Sequence, residues 1–509
     1  MYDIVVVGAG STGSVIASRG SEDPNKTVLL LEAGPDYSDI EKTPFDLLNS
    51  HQNSMKDHDW GFKYEPTRGR DIDFPRGRVT GGSSAVNTTI ALRGMPEDYD
   101  EWADLGNCQW SWDKVLPAFK RLERDLDFGD ENYHGDAGPI TIRRYPDEEL
   151  LPQHQAFLES ARLLDYPECI DANDPSGWGA GPQPMNKLGR LRISCAVGYL
   201  APARIRPNLT IRGNTFVRRL LLKDHQCTGV EVENADGTID TIAAKLVVLS
   251  AGSLMSPPIL MRSGIGPQKQ LESFGIEVIQ DEPGVGSNLC DHPAISVVCQ
   301  VKDGAIINFD SPLIQTILRY TTQGSDKRND MQIEQLSYVG GHGGPPLFAI
   351  AACLEYQYGR GEIRLRSADP FDNPIVDCRF CEDDRDTSRL VKAFRDTLAF
   401  SQTGPLADMI EVVTFPDPKR PLTDDDIAVL CRKLAASGYH PCGTVKMGPR
   451  QDRQAVVDQF GCSHRIDNLV VADASIMPFV PRANINLTSI MIGEKIGEWI
   501  RTQPSRYGL

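Results

Sequence analysis

The chain has 509 residues, of which 40% are hydrophobic and 24% charged, and its formal net charge at pH 7 is −17. A chain of this length exceeds a single hydrophobic core, so we expect two or more domains. The negative charge argues against partners that present a phosphate backbone, such as nucleic acid, and against anionic membrane surfaces. No run of 18 apolar residues occurs, so we expect no membrane-spanning helix.

The first buried strand leads directly into a glycine-rich turn. Tyr2 to Val7 is apolar and rich in β-branched residues, and residues 8–13 read Gly-Ala-Gly-Ser-Thr-Gly. A small-residue helix to about Ser18 follows, then a second strand from Thr27 to Leu31, and then Glu32, 19 residues after the last glycine. This order predicts a βαβ unit that binds a dinucleotide, with the acid placed to accept hydrogen bonds from ribose hydroxyls. The motif alone does not separate FAD from NAD.

Each glycine of the turn has a separate predicted role. Gly8 allows the tight turn, Gly10 lets the backbone approach a pyrophosphate, and Gly13 lets the helix pack closely on the strand. The free N–H groups at the start of the helix face the phosphates.

Further along the chain, two more segments are rich in glycine and small residues. Residues 75–87 contain Gly-Gly-Ser-Ser, a backbone-rich cradle that on its own fits phosphate binding or a structural loop equally well. Lys245 to Ser250 is a buried strand pattern, and residues 251–266 again read as a glycine turn and a helix with two prolines in its first turn. Leu209 to Val217 is predicted to be a strand.

The twelve cysteines are scattered, and Cys378-Arg-Phe-Cys381 is the only C-x-x-C pair. No second pair or histidine cluster completes a zinc site, so we expect reduced, mostly packed thiols and no metal. The first strand starts at residue 2 and leaves no room for a secretory signal. If the numbering begins at the native start, the protein is expected to be cytoplasmic.

Near the carboxyl end, two predicted helices flank a histidine. Thr423 opens a helix that Gly438 is expected to end. His440 then lies in the turn Tyr439-His440-Pro441, whose position the helix and the proline are expected to fix. A second helix from about Leu487 to Arg501 follows, with Asn486 as its predicted cap and Asn484 just ahead of it.

Together these segments resemble the glucose–methanol–choline (GMC) oxidoreductase family of FAD enzymes. The resemblance covers essentially the whole chain, thins in residues 300–350, and rests on an ordered set of blocks. They are VVVGAGSTG from Val5, RVTGGSSAVN from Arg78, SAGSLMSPPILMRSGIG from Ser250, GVGSNLCDHP from Gly284, GYHPCGTVKMG from Gly438 and LVVADASIMP from Leu469.

The resemblance implies an α/β fold (α+β overall) with FAD as the cofactor. A Rossmann-like FAD domain would be interleaved with a substrate domain built on an antiparallel sheet covered by helices. Residues 1–295 would bind mainly FAD, with 141–189 on the substrate side, 296–440 would form the substrate domain, and 441–509 would return to the FAD domain. The alternating stretch Gly361–Arg366 is expected to be one strand of the substrate sheet. Gly340–Pro346 has the composition of a surface loop, with a lid over the site as the alternative.

By position in the family pattern, the resemblance assigns a set of residues to the cofactor. They are Gly8, Gly10, Ser11, Thr12, Gly13, Glu32, Ala33, Arg78, Gly82, Ser83, Asn87, Thr88, Val217, Ala251, Asp473, Ala474, Asn486 and Leu487. Some relatives bond FAD covalently through a histidine whose position here is Val86, so noncovalent FAD is expected.

The resemblance also implies a His–Asn catalytic pair. His440 would accept the hydroxyl proton of an alcohol, expected to be primary, while hydride passes to flavin N5 and Asn484 orients the hydroxyl. The products would be an aldehyde and reduced flavin, which O2 or another electron acceptor would reoxidise. An FAD-containing lyase that uses His440 for acid–base cleavage, as in hydroxynitrile lyases, is one alternative. A redox-inactive, flavin-bound scaffold is the other, and the presence of both His440 and Asn484 disfavours it. The particular alcohol, the electron acceptor and the oligomeric state stay open.

Overall fold

Two large sheets organise the chain. The computed structural model describes residues 1–302, 308–340 and 344–509. One sheet is mostly parallel and the other is antiparallel, and helices pack on both. The mixed α/β class expected from the sequence is therefore confirmed. In these ranges no helix is both long enough and apolar enough to cross a membrane.

The nucleotide sheet has the first strand, Tyr2–Val7, at its centre. Parallel partners lie on both sides of it, Val28–Leu31 and Ile239–Leu249, and the strands are buried, as the apolar runs predict. Across the sheet the strand order is Leu209–Arg212, Val28–Leu31, Tyr2–Val7, Ile239–Leu249, Gln226–Asn234 and Thr215–Lys223, with Leu469–Val471 beside the end of Ile239–Leu249. The predicted strand Leu209–Val217 is thus wrong as one strand. A turn at Asn214, where φ is +51°, divides it between two positions in the sheet.

The second sheet, here called the substrate sheet, is built from later strands and one early one. Its order is Ile410–Phe415, Pro293–Val301, Leu347–Leu354, Met331–Val339, Thr316–Tyr320 and Gly179–Pro182, with Ala436–Ser437 beside Pro293–Val301. The pairings are antiparallel. One face packs into a hydrophobic core with the helices Pro152–Leu163, Asp384–Ser401, Gly404–Met409 and Asp424–Leu434.

The expectation for Gly361–Arg366 is wrong. Only Glu362–Arg364 is a strand, and it pairs with Ile375–Asp377 in a separate two-stranded sheet. Alternation shows that one face of a segment is buried, but it does not name the partner strand. Residues 341–343 of the predicted loop Gly340–Pro346 lie outside the described residues, so its role as a loop or lid stays a prediction.

Two expectations about helix ends also change. The helix opened by Thr423 does have the expected cap, since Thr423 Oγ1 accepts from the Asp426 N–H. It ends at Leu434 rather than at Gly438, because the chain turns there to add the strand Ala436–Ser437 to the substrate sheet. The last long helix is Asn486–Thr502, and its N-cap position is Ile485, so Asn486 is the first helical residue and not the cap.

The remaining elements are short or flank the two sheets. The other α-helices are Ser11–Gly20, Phe45–Leu48, Pro96–Asp104, Trp112–Leu122, Ala201–Ala203, Ser256–Arg262 and Gln268–Ser273. The small strand pairs are Phe62–Tyr64 with Ile72–Phe74, Glu123–Asp125 with Ile140–Ile142, Lys187–Leu188 with Leu191–Arg192, and Ile265–Gly266 with Gln280–Asp281. The cysteines are free thiols, and all but Cys108 and Cys462 are buried.

The helix Ser11–Gly20 packs closely against the first strand because glycine leaves room at the contact. A Cβ on Gly13 would lie 2.0 Å from the Gly8 carbonyl oxygen. Because that oxygen belongs to the backbone, the clash could be removed only by moving the backbone. A Cβ on Gly20, at the end of the same helix, would make only ordinary contact, 3.5 Å from Ile4 Cδ1. The helix can therefore approach the strand closely at Gly13 because that position is glycine.

We predict that Gly13→Ala lowers the unfolding temperature of the protein and that Gly20→Ala does not. Overpacking a tight contact costs about 1–3 kcal/mol or more, whereas alanine is favoured over glycine in a helix by about 1 kcal/mol. Thermal unfolding of both variants followed by circular dichroism measures the difference. Equal unfolding temperatures for the two variants would contradict the close contact at Gly13.

Candidate active site

A cavity of about 680 Å³ lies between the nucleotide sheet and the substrate sheet. Most of the residues that the sequence assigned to cofactor and catalysis line it. They are Gly8, Gly10, Ser11, Thr12, Glu32, Ala33, Gly82, Ser83, Asn87, Thr88, Val217, Ala251, Asp473, Ala474, Asn486, His440 and Asn484. Segments far apart in the chain therefore meet at one site.

Three of the assigned residues do not line the cavity. Gly13 lies behind the turn against Gly8, where it serves packing. Leu487 is fully buried in the core. Arg78 is exposed, with its guanidinium carbon 5.1 Å from the centre of the Trp60 ring.

At the nucleotide end the cavity wall is backbone. The helix Ser11–Gly20 begins at this wall with Gly10 as its N-cap, so its first N–H groups are available to an anion. A Cβ on Gly10 would meet nothing within 4 Å, whereas one on Gly82 would lie 2.6 Å from the Gly10 Cα. Gly82 also has φ of +52°, a conformation that favours glycine. The wall thus has the close, side-chain-free surface that a pyrophosphate needs.

Two carboxylates shape the same wall. Glu32 accepts hydrogen bonds from the N–H groups of Ala9 and Gly34, both at 2.9 Å, and burial raises its pKa to about 7. Each of its oxygens keeps a further lone pair for a hydroxyl donor. Asp473 accepts from the Gly252 N–H at 2.9 Å and from Ser256 Oγ at 2.6 Å, and burial raises its pKa as well. These contacts fix the loops around the cavity.

Asn486 contributes a side chain rather than a cap. Its Oδ1 accepts a hydrogen bond from Ser11 Oγ at 3.0 Å, which links the start of helix Asn486–Thr502 to the start of helix Ser11–Gly20. Its Nδ2 is buried and has no hydrogen-bond partner among the described residues. A buried amide donor in the cavity wall fits a ligand that presents carbonyl or ring-nitrogen acceptors, as a flavin does. With the backbone wall and Glu32, the residues present fit FAD.

His440 and Asn484 converge at the other end of the cavity. His440 Nε2 and Asn484 Nδ2 are 3.1 Å apart, so one oxygen atom can contact both side chains. Asn484 Oδ1 is buried and has no hydrogen-bond partner within the part of the chain that the structure describes. Burial, with His292 and Arg76 nearby, holds the pKa of His440 well below its usual value. The imidazole is therefore neutral at neutral pH and can accept a proton.

Asp291 fixes the turn that carries His440, a role that sequence reasoning missed. Its buried Oδ1 accepts from the His440 N–H at 2.8 Å and from the His292 N–H at 2.7 Å, and its Oδ2 accepts from Ser437 Oγ. Burial raises its pKa to about 6. The only sequence signal was its place before His292 in the block GVGSNLCDHP.

His292 lies directly behind His440. The two Nδ1 atoms are 2.9 Å apart, and burial lowers the pKa of His292 to about 3, so it stays neutral. Because Asn484 Nδ2 donates to His440 Nε2, the proton of the neutral His440 ring is on Nδ1 and is donated to His292. His292 thus holds His440 in the tautomer whose Nε2 lone pair faces the cavity.

Arg76 is a second residue that sequence reasoning did not single out. It lines the cavity, and its Nε and Nη2 have no hydrogen-bond partner in the described part of the chain. Its guanidinium carbon is 4.4 Å from the centre of the Phe74 ring and 5.9 Å from that of Tyr439. A half-buried, unpaired cation in this wall suits a ligand that carries or gains negative charge.

Comparison with known proteins assigns this architecture to a family. The GMC oxidoreductase N-terminal model matches residues 2–294, and the GMC oxidoreductase C-terminal model matches residues 357–493. The chain belongs to the GMC oxidoreductase family. It is an FAD-dependent oxidoreductase that acts on CH–OH donors, and the resemblance inferred from the sequence blocks is confirmed.

Individual GMC oxidoreductases resemble it over their whole length. It is 35% identical to 5-(hydroxymethyl)furfural oxidase of Methylovorus sp. (strain MP688), over 99% of both chains. It is 33% identical to oxygen-dependent choline dehydrogenase of Escherichia coli O127:H6, over 98% of this chain and 95% of that one. The crystal structure of pyridoxine 4-oxidase from Mesorbium loti superposes with a TM-score of 0.91 at 29% identity, over 98% of this chain and 99% of that one.

We predict that Asp291→Ala strongly destabilises the site and that Asp291→Asn does so less. Alanine leaves the buried N–H groups of His292 and His440 without acceptors, at about 1–3 kcal/mol for each unsatisfied group. Asparagine keeps an oxygen at the Oδ1 position. Thermal unfolding of the two variants tests this, and an alanine variant as stable as the asparagine variant would show that Asp291 does not hold the turn.

Proposed function

We propose that this GMC oxidoreductase oxidises a primary alcohol to an aldehyde, with His440 as the base and Asn484 as the orienting group. The observation that carries the proposal is the 3.1 Å approach of His440 Nε2 to Asn484 Nδ2 in the wall of the cavity. A hydroxyl oxygen placed between them can donate its proton to His440 and accept from the Asn484 amide.

The cofactor supplies the redox step and the chain supplies orientation and proton transfer. When bound, FAD supplies flavin N5 as the acceptor of the hydride that leaves the carbinol carbon. We assign the helix start at Ser11 to the pyrophosphate and Glu32 to a ribose hydroxyl. Asn486 Nδ2 is assigned to the flavin, and Val217 to the adenine side. O2 or another small acceptor would reoxidise the flavin.

The proton acceptor is ready at neutral pH for a physical reason. The low pKa of His440 keeps Nε2 unprotonated, and its Nδ1 proton is donated to His292. After Nε2 takes the hydroxyl proton, the ring is cationic and buried, which favours release of that proton to solvent as the product leaves. The aldehyde product then has no hydroxyl donor to hold it between His440 and Asn484.

A lyase that uses His440 for acid–base cleavage without redox chemistry is the alternative function. The oxidases and the dehydrogenase among the similar proteins favour oxidation. Anaerobic mixing with alcohols separates the two functions, because oxidation bleaches the flavin absorbance and cleavage leaves it unchanged.

We predict that FAD is bound without a covalent link. Val86, a buried residue in the cavity wall, occupies the position where some relatives carry the histidine that bonds to the flavin. Acid precipitation of the yellow protein should therefore release intact FAD into the supernatant. Flavin that remains with the precipitate would contradict this assignment.

We predict that His440→Ala keeps FAD and loses most of its rate of flavin reduction by alcohol. The loss should be about 10²–10⁴-fold, the usual worth of general-base assistance, and should decrease as pH rises because hydroxide can replace the base. Asn484→Ala should lose less, since it removes an orienting donor and no proton acceptor. Anaerobic stopped-flow measurements, normalised to bound FAD, compare the variants.

The pH profile of the wild-type protein is an independent check on the same base. Because the pKa of His440 lies well below 6.5, the flavin-reduction rate should not fall as pH decreases to 6.5. A His440→Ala variant that reduces flavin at the wild-type rate would refute the assigned base. With a saturating uncharged alcohol, a wild-type rate that falls with an apparent pKa of 7 or above would contradict the neutral imidazole.

A further inference from the structure

The substrate sheet presents one face to the cavity, and Glu334 is an acidic side chain that lines the cavity on that face. In register across three neighbouring strands, Ser296 is opposite Ala351 and Ala351 is opposite Glu334. All three residues line the cavity. Alternate positions on each strand point to the same face, so Glu334 belongs to the wall and not to the helix-covered core.

Glu334 has no cationic partner among the described residues. Its carboxylate accepts a hydrogen bond from Gln332 Nε2, and burial raises its pKa to about 7. Glu355 is a second carboxyl group in this region, and burial raises its pKa to about 8; the charge of Arg319 opposes this increase and that of Glu334 adds to it. A buried carboxylate without a cation is costly to ionise. A ligand that brings a positive charge would relieve that cost.

Gln332 extends the same site. It is 2% exposed and lines the cavity, and its Oε1 is buried without a hydrogen-bond partner in the described part of the chain. Gln332 Nε2 donates one of its two N–H groups to Glu334, so the free Gln332 Oε1 and the Glu334 carboxylate give the pair more free acceptors than donors. The ligand group that matches the pair must therefore donate hydrogen bonds as well as carry positive charge.

Gln332 and Glu334 also lie within reach of the end of the cavity where His440 and Asn484 converge. Gln332 is in register with Cys353, whose Sγ is 3.9 Å from the carbonyl oxygen of His292, the residue behind His440. Glu334 is two residues further along the strand, a displacement of roughly 7 Å. A substrate with its hydroxyl between His440 and Asn484 can thus reach the pair through a short linker.

We propose that Gln332 and Glu334 bind a protonated amine, so that the substrate is an amino alcohol whose N–H donors lie a few bonds from the hydroxyl carbon. This inference rests on the proposed alcohol oxidation and deepens it by naming the substrate class. Glu334 supplies the charge, Gln332 Oε1 supplies the second acceptor, and Ala351 and Ser296 leave room beside them.

The test compares 5-aminopentan-1-ol with 1-hexanol, in which a methyl group replaces the ammonium. In anaerobic flavin reduction the wild-type protein should favour the amino alcohol by about tenfold or more, the effect of one charge-assisted hydrogen bond. Glu334→Gln should remove this preference, so that the two alcohols reduce the flavin at similar rates. Glu411→Gln, the same change at an exposed acid of the substrate sheet, is the matched control and should behave as wild type.

Binding of an amine that cannot be oxidised as an alcohol tests the amine site separately from the proposed reaction. Hexylamine, which has no hydroxyl, should perturb the flavin absorbance of the wild-type holoenzyme and bind more tightly at pH 8 than at pH 6, as Glu334 ionises. Glu334→Gln should abolish that pH dependence. If neither alcohol reduces the flavin but hexylamine binds in this way, the oxidation proposal fails and the amine site stands. If 1-hexanol reduces the flavin as well as the amino alcohol does, or if Glu334→Gln affects both equally, the amine site is refuted.

Discussion

The carboxylate of Asp291 is the contact on which the geometry of the active site depends. It binds the backbone N–H groups of His292 and His440, which are 148 residues apart, and also the hydroxyl of Ser437. One buried acid therefore joins the segment that enters the substrate sheet to the segment that leaves it. Without it, two buried N–H groups would lack acceptors, and the His440 turn would lose its position relative to the sheet.

The chemical properties of His440 follow from that placement. The turn puts His440 Nδ1 beside His292 Nδ1 and His440 Nε2 beside Asn484, so the two neighbours decide which ring nitrogen carries the proton. Burial disfavours the cationic ring and keeps it ready to accept a proton. A neutral, oriented imidazole results from packing and hydrogen bonding to His292 and Asn484.

The two walls of the cavity are built by different means. The nucleotide wall is backbone, shaped by glycines such as Gly10 and Gly82 that remove side chains where close approach is needed. The wall on the substrate sheet consists of side chains at alternate positions, such as Ser296, Glu334 and Ala351. A backbone wall suits a cofactor with invariant phosphates, whereas a side-chain wall can be changed residue by residue to suit a substrate.

The nucleotide-binding unit could be predicted from the sequence because its determinants are local. Strand, glycine turn, helix and acid all lie within the first 32 residues, and each residue acts on its near neighbours. The ordered blocks also predicted the family and the mixed fold, and the structure places His440 and Asn484 together as the resemblance implied. The blocks supply residues to both the nucleotide end and the His440 end of the cavity, so their order carries long-range information that a single motif lacks.

Only the tertiary structure decided the features that depend on distant partners. Alternation in Gly361–Arg366 could not show which strand it pairs with, and the helix pattern after Asn486 could not show that its side chain binds Ser11 instead of capping. Asp291 and Glu334 look like ordinary acids in the sequence. Their burial, their hydrogen-bond partners and the absence of a paired cation for Glu334 among the described residues arise only when strands far apart in the chain come into register.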